Sequence, residues 1–308
     1  MSLERALELA ERGRGTTYPN PVVGAVVVRD GEVVGEGWHE RKGEAHAEVV
    51  ALDAAGDSAR GATLYVTMEP CVHHGSTPPC TDAVIAAGVA KVVAGSLDPS
   101  PEARGGFELL RGAGVEVEHA DSAQARRQNE AWRLWVVERR PFVTLKLAVT
   151  VDGRVALPGS RWISGEQSRR RVHELRAQVD AVAVGMGTVR ADDPRLTARD
   201  VDAARQPRRL AFGHGETSLE LRSGPLEDEL RALGSEGVQS LLLEGGPTLA
   251  ESFLRADLVD KLLLFVAPLI AGSGPVFAPR LDLPLELASL EAELVGHDVL
   301  LQAYVHEP

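Results

Sequence analysis

The stretch MEPCVHHGSTPPC, from Met68 to Cys80, contains both cysteines of a 308-residue chain. A proline precedes each cysteine. The apolar run GATLYVT before this stretch predicts a buried strand, and the following CTDAVIAAG predicts a helix that ends at Gly88. VAKVVAG then predicts a return strand. A strand, a crossover helix and a second strand form the βαβ unit of a mostly parallel sheet, so the cysteines are expected in an α/β domain.

The same alternation extends in both directions. VVGAVVV (22–28) and EVVGEG (32–37) flank the turn pair Asp30-Gly31, which predicts a β-hairpin, and HAEVVALDAAG predicts a helix that ends at Gly56. After a polar helical stretch, strand-like runs return as RPFVTLKLAVT, DAVAVG, QSLLLEGG, KLLLFVAPLI and DVLLQAYV. We expect two α/β domains, residues 1–120 and 141–308, joined by a helical connector over residues 121–140.

The composition limits the possible partners. The formal net charge is −12 and the basic residues form no cluster, which argues against a nucleic-acid partner. No apolar run approaches the roughly 20 residues of a membrane span, and MSLERALELAERG at the start predicts an amphipathic helix and not a signal peptide. We therefore expect a cytoplasmic protein in a reducing compartment, where a disulfide is the less favoured use of Cys71 and Cys80.

Three interpretations remain for the two cysteines. They could be buried, inert thiols. They could belong to a structural zinc site of the Cys₂His₂ type, completed by His73 and His74. They could also belong to a catalytic zinc site, because His46-Ala47-Glu48 stands upstream. The combination H-x-E, P-C and a second Cys is the signature of zinc nucleoside deaminases, in which the Glu is not a ligand, and it explains the largest number of residues.

Deaminase chemistry accounts for each of these residue types. Two thiolates and a neutral imidazole balance the charge of Zn²⁺ and leave one position for water, whose pKa the metal lowers to about 7. Glu48 would carry the proton from this water to the substrate. Residues 46 and 48 point about 200° apart inside a helix, so His46 is expected at the very start of its helix. Helices that begin after Pro70 and Pro79 would favour the thiolate form of both cysteines.

The residues resemble one family closely, the bifunctional riboflavin-biosynthesis deaminase-reductases. The deaminase half of that family carries T-x-P-N-P-x-V-G-A-V, H-A-E and E-P-C-x-H-x-G-R-T-P-P-C. This chain has TTYPNPVVGAVVV, HAEVVAL and MEPCVHHGSTPPC, and the match extends to about residue 118. The resemblance implies a cytidine-deaminase-like three-layer domain in which His46, Cys71 and Cys80 bind zinc and Glu48 carries the proton. It also implies that Asn20 contacts the substrate, although a turn residue between two prolines is an equal alternative.

Two positions depart from the family pattern. Ser76 stands where the family has Arg, which removes a cation that would hold a substrate phosphate. The loop DPSPEARGG, from Asp98, differs from the family's D-P-N-P loop and is one residue shorter. Neither difference involves the zinc ligands. His73 and His74 are interpreted as loop residues near the mouth of the site.

The second half carries weaker local signals. LLLEGGPTLAESFL is a strand, a glycine turn and a helix whose first N–H groups could hold a phosphate, although an ordinary tight turn is the commoner explanation. GMGTVRADDPRLT is a second glycine-containing loop after a strand. Together with KLAVTVDGR, WISGEQSRR and QPRR, these stretches resemble the reductase half of the same family. That resemblance implies a dihydrofolate-reductase-like α/β domain that uses NADPH.

The resemblance assigns two sets of residues in this half. The expected NADPH contacts are Ala148, Trp162, Thr188, Asp192, Gly246, Pro247, Thr248, Leu249, Ala250, Glu251 and Ser252. The expected contacts to the phosphoribosyl substrate are Ser160, Arg176, Leu196, Arg199 and Glu244. Without the resemblance, Trp162 would be interpreted as a core aromatic residue and Arg176 as part of a solvated helix face.

Lys146 is a further candidate for orienting the substrate. The chain has 29 Arg and only four Lys, yet it places Lys at the end of this strand. A compact ammonium that can shift its pKa or point at a single sugar oxygen is not replaced by a planar guanidinium.

One departure concerns the reductase half. After QPRR, the segment LAFGHGETSLELRSGPLEDEL leads almost directly to the E-G-G turn. A strand-helix portion that the family has on one side of its cofactor site is missing here. The expected function is nevertheless two successive steps of riboflavin synthesis. Zinc-dependent deamination of a phosphoribosylaminopyrimidine precedes NADPH reduction of its ribosyl group, in a homo-oligomer.

Two alternatives accompany this hypothesis. In the first, the shortened second domain only binds substrate or mediates assembly. The second belongs to a different class, an RNA-editing zinc deaminase that binds nucleic acid with the same zinc core. The acidic net charge, the insertion G-x-T-P-P-C and the second domain argue against it.

Overall fold

The chain folds into two compact units. A computed structural model describes residues 2–74, 78–203, 205–277 and 279–308. The first unit ends at Glu138, and the second begins at Arg139. Within these described ranges, no helix is both long and apolar enough to cross a membrane.

The first unit is built around a five-stranded sheet. Its elements in chain order are α1 (Ser2–Glu11), β1 (Gly24–Arg29), β2 (Glu32–Trp38), α2 (Ala47–Ala55), a 3₁₀ turn (Gly56–Ala59), β3 (Thr63–Val66), α3 (Cys80–Ala87), β4 (Lys91–Ala94), α4 (Gly106–Gly112), β5 (Glu116–His119), α5 (Ala123–Gln128) and α6 (Glu130–Glu138). The strand order is β2-β1-β3-β4-β5. β1 is antiparallel to β2 and β3, whereas β3, β4 and β5 are parallel. β3, α3 and β4 confirm the predicted βαβ unit.

Turn and helix-end residues explain where these elements stop. Asp30 and Gly31 have φ values of 53° and 85°, as a type I′ hairpin turn between β1 and β2 requires. Gly56 follows α2 and Gly88 follows α3, with φ values of 52° and 70°. Glycine adopts such positive φ values with little steric cost, because it has no Cβ atom. The hairpin and both helix ends therefore agree with the sequence prediction.

Helix α2, which carries Glu48, lies directly on strand β2. Two glycines of β2 make this close approach possible. A Cβ atom on Gly35 would lie 2.2 Å from the carbonyl oxygen of Ala51, and one on Gly37 would lie 2.6 Å from that of Ala47. A side chain at either glycine would push α2 away from the sheet.

The second unit is built around an eight-stranded sheet. Its elements are β6 (Phe142–Thr150), α7 (Glu166–Gln178), β7 (Ala181–Gly185), α8 (Met186–Asp192), β8 (Arg208–Phe212), β9 (Glu220–Arg222), α9 (Leu226–Ser235), β10 (Ser240–Leu243), α10 (Pro247–Arg255), β11 (Lys261–Ala267), β12 (Ala288–Val295) and β13 (Asp298–Tyr304). The strand order is β12-β13-β11-β6-β10-β7-β8-β9. β12 and β13 pair antiparallel, as do β13 and β11, and the other neighbours are parallel.

The carboxyl ends of the parallel strands meet at one edge of this sheet. Leu145 of β6 pairs with Leu243 of β10, so Lys146 and Glu244 lie side by side one position further along. β7 ends nearby at Gly185. In open α/β sheets, ligands bind outside the carboxyl ends of the strands. The topology therefore brings together two residues that are far apart in the sequence.

Strands β8, β9 and β12 are not among the strands predicted from the sequence. Only residues 213–219 connect the parallel strands β8 and β9, whereas a parallel crossover usually takes about a dozen residues or more. Although the sequence indicated a missing strand-helix portion after QPRR, this region forms two strands of the sheet, β8 and β9. The stretch interpreted as a connector forms α5 and α6, which belong to the first compact unit.

Candidate active sites

The first unit brings His46, Cys71 and Cys80 together. Their ligand atoms all lie within 4.8 Å of one another, and no second group of this kind occurs in the described parts of the chain. The Nδ1 atom of His46 is 3.1 Å from the sulfur of Cys80 and 3.7 Å from that of Cys71. Both cysteines are buried free thiols.

This arrangement fits a zinc ion. Zn–N and Zn–S bonds of 2.0 to 2.3 Å at tetrahedral angles place ligand atoms roughly 3.5 Å apart, and the two observed N···S distances lie on either side of that value. Three protein ligands leave a fourth position open, as in catalytic sites, whereas a structural site has four. His73 and His74, which the structural alternative requires, are exposed and are not part of the group.

The starts of two helices position most of this site. His46 immediately precedes α2 with an extended backbone, and Glu48 lies in the first turn of that helix. This confirms the expected position of His46. Cys80 is the first residue of α3.

The position of Cys71 corrects one prediction, because residues 71–74, the described residues directly after Pro70, form no helix. The carbonyl of Cys71 accepts the N–H of Thr81, so the backbone bonds to α3 and not to a helical turn of its own. The N–H of Cys80 points at the Cys71 sulfur from 3.5 Å. The hydrogen bond between the two thiols lowers the pKa of Cys71 and raises that of Cys80.

Glu48 is buried beside the metal-ligand group but is not part of it, with 4% of its surface exposed. Burial raises the pKa of Glu48 to about 7, and the Cys71 sulfur adds to this effect while His46 opposes it. A carboxyl group that titrates near neutral pH can accept a proton and return it, which is what a general acid–base catalyst requires.

Asn20 and His39 form one wall of the pocket above this group, which has a volume of about 320 Å³. The amide nitrogen of Asn20 is 3.3 Å from Nε2 of His39, and Nδ1 of His39 is 3.1 Å from the carbonyl oxygen of Ala45. Burial lowers the pKa of His39, so the ring is neutral. A carbonyl only accepts hydrogen bonds, so Nδ1 carries the proton and Nε2 accepts from the amide of Asn20.

The sequence interpretation missed several residues of this pocket. They are His39, Glu69, Ser100, Trp132, Val136 and Asp98. The altered loop DPSPEARGG supplies Asp98 and Ser100, and burial raises the pKa of Asp98 to about 6. Trp132 and Val136 belong to α6. They were not predicted as pocket residues, because this segment was interpreted as a connector between the domains. Ser76, the other departure from the family pattern, lies outside the described residues.

The second unit contains a larger cleft, of about 880 Å³, at the carboxyl edge of its sheet. Three predicted residues meet on its wall. Arg176 donates Nε and Nη2 to the two carboxylate oxygens of Glu244, at 2.6 and 2.9 Å. The Nζ atom of Lys146 lies 4.0 Å from the same carboxylate. The Glu244 carboxylate therefore interacts with two cations. All three side chains are largely buried.

This burial changes the protonation equilibria of the cluster. Burial raises the pKa of Glu244, but the Arg176 hydrogen bond and the Lys146 charge outweigh burial, and the net pKa is lowered. The pKa of Lys146 is lowered by burial, with Glu244 opposing this effect and Arg176 adding to it. Arg176 was expected to contact the substrate. In the structure it holds Glu244, and its Nη1 donates to the carbonyl of Thr197 at 3.3 Å.

Most of the other predicted residues line the same cleft. They are Ala148, Thr188, Asp192, Leu196, Arg199, Gly246, Pro247, Thr248, Leu249, Ser252 and Trp162. Trp162 is 53% exposed, and the guanidinium groups of Arg161 and Arg169 lie 5.1 and 5.2 Å from its ring. It is therefore a cleft residue and not the core aromatic residue of the alternative interpretation.

Three predicted residues do not line the cleft. Ala250 is fully buried in the core. Glu251 accepts the backbone N–H of Arg280 at 3.2 Å. The hydroxyl of Ser160 donates to the carbonyl of Trp162 at 2.9 Å. A helix turns every 3.6 residues, so only part of a contiguous run such as 246–252 can face one cleft.

Two family models match the chain. Residues 2–96 match the cytidine and deoxycytidylate deaminase zinc-binding region, and residues 141–301 match the RibD C-terminal domain. The first match contains the group His46, Cys71 and Cys80, and the second contains Lys146, with the cleft around it.

Curated relatives match almost from end to end. The riboflavin biosynthesis protein RibD of Escherichia coli K12 is 42% identical, with 97% of each chain covered. RibD of Mycobacterium tuberculosis H37Rv is 45% identical, with 96% of this chain and 94% of the relative covered. The two alignments span 357 and 325 positions, more than the 308 residues of this chain, so these relatives contain residues that it lacks.

Solved structures agree with these matches. Acinetobacter baumannii RibD, form 1, has a TM-score of 0.86 at 33% identity, with 98% of this chain and 97% of that chain covered. A diaminohydroxyphosphoribosylaminopyrimidine deaminase/5-amino-6-(5-phosphoribosylamino)uracil reductase from Thermotoga maritima also has a TM-score of 0.86, at 35% identity and with the same coverage. The chain therefore belongs to the RibD family of bifunctional riboflavin-biosynthesis enzymes, with a zinc-binding, cytidine-deaminase-like domain followed by an NADPH-dependent α/β reductase domain.

Proposed function

We propose that the first domain hydrolyses the exocyclic amino group of 2,5-diamino-6-(5-phosphoribosylamino)pyrimidin-4(3H)-one and releases ammonia. The observation that carries this proposal is the grouping of His46, Cys71 and Cys80 next to the buried Glu48, at a pocket that His46, Glu48 and Cys71 line. The similar Thermotoga maritima protein is named as a deaminase of this substrate class and as the reductase of the corresponding uracil.

Five residues of this site have a role in the proposed reaction. His46, Cys71 and Cys80 would hold the zinc ion, which when bound lowers the pKa of a water molecule to about 7 and so supplies a nucleophile at neutral pH. Glu48 accepts a proton from the attacking water and delivers protons to the ring nitrogen and then to the departing amine. Its pKa of about 7 suits both directions of transfer. Asn20, oriented by its hydrogen bond to a neutral histidine, would bind the polar edge of the pyrimidine.

The second domain, in the same proposal, reduces the ribosyl group of the deaminated product to ribityl. NADPH, held by cleft residues such as Thr188 and the start of α10, would supply a hydride to C1′ of the sugar, with cleavage of the bond between C1′ and O4′ and uptake of a proton by O4′. The cleft volume of about 880 Å³ lies at the upper end of the range for small-molecule sites. The start of α10, after Gly246, offers backbone N–H groups to phosphate oxygens.

Lys146 and Glu244 are assigned to the sugar. The Lys146 ammonium would contact a single ribose oxygen, and Glu244 would accept a hydrogen bond from a ribose hydroxyl. Arg176 keeps that carboxylate ionised and in place. Leu196 and Arg199, on the same wall, would bind the 5′-phosphate end.

One assay tests both steps. Ammonia is measured after the zinc-loaded protein is incubated with the diamino substrate, and NADPH is then added and its absorbance followed. We expect ammonia release without NADPH, followed by NADPH oxidation equal to the ammonia released. Ammonia release without any oxidation would support the alternative in which the second domain only binds substrate or mediates assembly. Absence of ammonia would contradict the deaminase assignment.

We further propose that the protein is a cytoplasmic homo-oligomer with neither nucleic acid nor membrane as partner. Strand β12 lies at an edge of its sheet, and its side chains Leu290 and Leu294 are 66% and 78% exposed. An exposed apolar edge strand favours pairing with a second copy. Thiols that serve as metal ligands suit a reducing compartment, and a net charge of −12 disfavours nucleic acid.

Sedimentation tests the oligomer. The wild type is expected to sediment as a dimer or larger, and Leu294→Arg is expected to dissociate it without loss of zinc. A monomeric wild type at micromolar concentration would contradict the proposed oligomer.

A further inference from the structure

Helix α6 forms one wall of the deaminase pocket. Trp132 and Val136 of this helix line the pocket together with His46 and Cys71 of the metal site. Asn129, Trp132, Arg133 and Val136 follow the spacing i, i+3, i+4 and i+7, which places them on one face of a helix. Asn129 directly precedes α6, and its carbonyl accepts the N–H of Arg133, so Asn129 caps the start of this helix.

Two residues of this face fix the helix to opposite sides of the pocket rim. The amide of Asn129 accepts the backbone N–H of Val22 at 2.9 Å and donates to its carbonyl at 2.8 Å. Val22 directly follows the P-N-P turn. On the other side, Nη1 of Arg133 donates to the carbonyl of Leu97 at 2.8 Å, next to the loop that supplies Asp98. Both rim segments supply pocket residues, so α6 cannot shift without breaking these bonds.

The remaining two residues of the face give the pocket an apolar wall. The other residues that line the pocket are mostly polar, including Asn20, Glu48, Asp98 and Ser100. Polar groups can recognise the edge of a pyrimidine but leave its flat faces without a partner. An aromatic side chain pairs well with such a face, because stacking does not depend on the polar groups of the ring.

We propose that Trp132 is a specificity-determining residue of the deaminase, whose indole covers the pyrimidine ring of the substrate. This proposal rests on the proposed deaminase function. The anchors on either side of Trp132 fix the distance between the indole and the metal site. Trp132 therefore contributes binding of the free phosphoribosylaminopyrimidine, and the proton transfers remain with Glu48.

Steady-state ammonia release by the zinc-loaded full-length protein tests this role. Trp132→Ala is expected to raise KM for the diamino substrate roughly 10- to 100-fold, as loss of base stacking does, with kcat changed less than about threefold. Trp132→Phe keeps an aromatic wall and should stay within about fivefold of the wild-type KM. Trp135→Ala removes the other tryptophan of α6, which does not line the pocket, and should leave KM unchanged.

Two further measurements separate binding from misfolding. Each variant should keep the wild-type zinc content and the wild-type rate of NADPH oxidation with pre-deaminated substrate. Glu48→Gln protein binds the substrate without converting it, so its Kd can be measured. Adding Trp132→Ala to this variant should raise the Kd for the substrate by the same factor by which Trp132→Ala alone raises KM. If Trp132→Ala does not fold, Trp132→Leu, which keeps apolar volume without an aromatic ring, is measured in the same way.

Several results would overturn the proposal. An unchanged KM in Trp132→Ala would do so, as would an equal rise in Trp135→Ala. A fall in kcat at constant KM would assign Trp132 to the catalytic machinery and not to substrate binding. A wild type that releases no ammonia contradicts the deaminase function itself, whereas an active wild type with an unaffected Trp132 variant removes only this inference.

Discussion

The two sites of this chain are built in opposite ways. The deaminase ligands lie close together in the sequence, within residues 46–80. His46 and Cys80 lie at the starts of helices α2 and α3, and Cys71 lies in the loop between β3 and α3. The reductase cluster takes Lys146, Arg176 and Glu244 from distant segments that meet because parallel strands end at one edge. The first site needs a metal ion to compensate the charge of its thiolates, whereas the second already pairs its one carboxylate with two cations. Removing a ligand therefore loses a cofactor in the first site, whereas removing Glu244 leaves two buried cations without their anion in the second.

The largest expected effect comes from removing a thiolate. Cys71→Ser and Cys80→Ser should reduce the zinc content from about one per chain to near zero and ammonia release to background, because two protein ligands hold zinc far less tightly than three. Metal analysis and an ammonia assay measure both. NADPH oxidation with pre-deaminated substrate is the control and should persist. Full metal content and activity in both variants would disprove the ligand assignment.

Glu48→Gln should abolish catalysis without removing the metal. The amide keeps the shape of the side chain but cannot carry protons, so zinc should be retained while ammonia release falls about 10²- to 10⁴-fold. Metal content and initial rates are measured on the same preparation. If this variant lost zinc while Cys71→Ser retained it, the ligand and the proton carrier would be reversed.

The reductase cluster should respond independently of the deaminase. Lys146→Ala and Glu244→Ala are each expected to slow NADPH oxidation about 10²- to 10³-fold, because each removes a fixed charge beside the sugar. Ammonia release should remain at the wild-type level. Glu244→Ala also leaves Lys146 and Arg176 without their anion in a buried site, so it should lower the melting temperature as well.

Glu48→Gln protein provides the matched control for this pair. It should oxidise NADPH with pre-deaminated substrate at the wild-type rate. Loss of ammonia release in Lys146→Ala would show that the two sites are not separable in this way. Absence of oxidation in the wild type would favour a second domain that only binds or assembles.

The smallest expected effect concerns the stability of the second unit. His306 lies 3.3 Å from buried Asp260, which Arg140 also pairs at 2.8 Å. The hydrogen bond to Asp260 raises the pKa of His306, so its stabilisation is complete below the unfolded pKa of about 6.5 and is lost as pH rises through the higher folded pKa. Because His306 is partly exposed, His306→Gln should cost under about 1 kcal/mol at pH 5.5 and less at pH 9. Thermal unfolding of both proteins at the two pH values measures this, and a cost that grows with pH would contradict it.

The sequence was most informative where local signals decide the structure. The turn Asp30-Gly31 and the stop at Gly88 depend on backbone conformations that few residues adopt, so they could be predicted from residue type. The position of His46 before its helix followed from the requirement that His46 and Glu48 reach one cavity. The grouping of His46 with the two cysteines agrees with the motif.

Features that depend on distant contacts could not be predicted in this way. Trp132 lines the pocket because hydrogen bonds dock α6, and nothing in its own segment indicates this. The pairing of Arg176 with Glu244 arises from the sheet topology. Strand β12, ASLEAELV, was missed because its alternating leucine and glutamate residues are almost all exposed, so no buried face marks it as a strand.

The two edges of the eight-stranded sheet have a consequence for self-association. β9, at one edge, is only three residues long, and its Arg222 and Glu220 pair with Glu236 and Arg208 at 2.9 and 2.6 Å. A short edge whose charges are already paired resists the addition of another strand. β12, at the other edge, carries exposed leucines and remains open to a partner. In the proposed homo-oligomer, identical chains would then join β12 to β12 and not β12 to β9, so that assembly would close at a two-fold axis and would not grow into a filament.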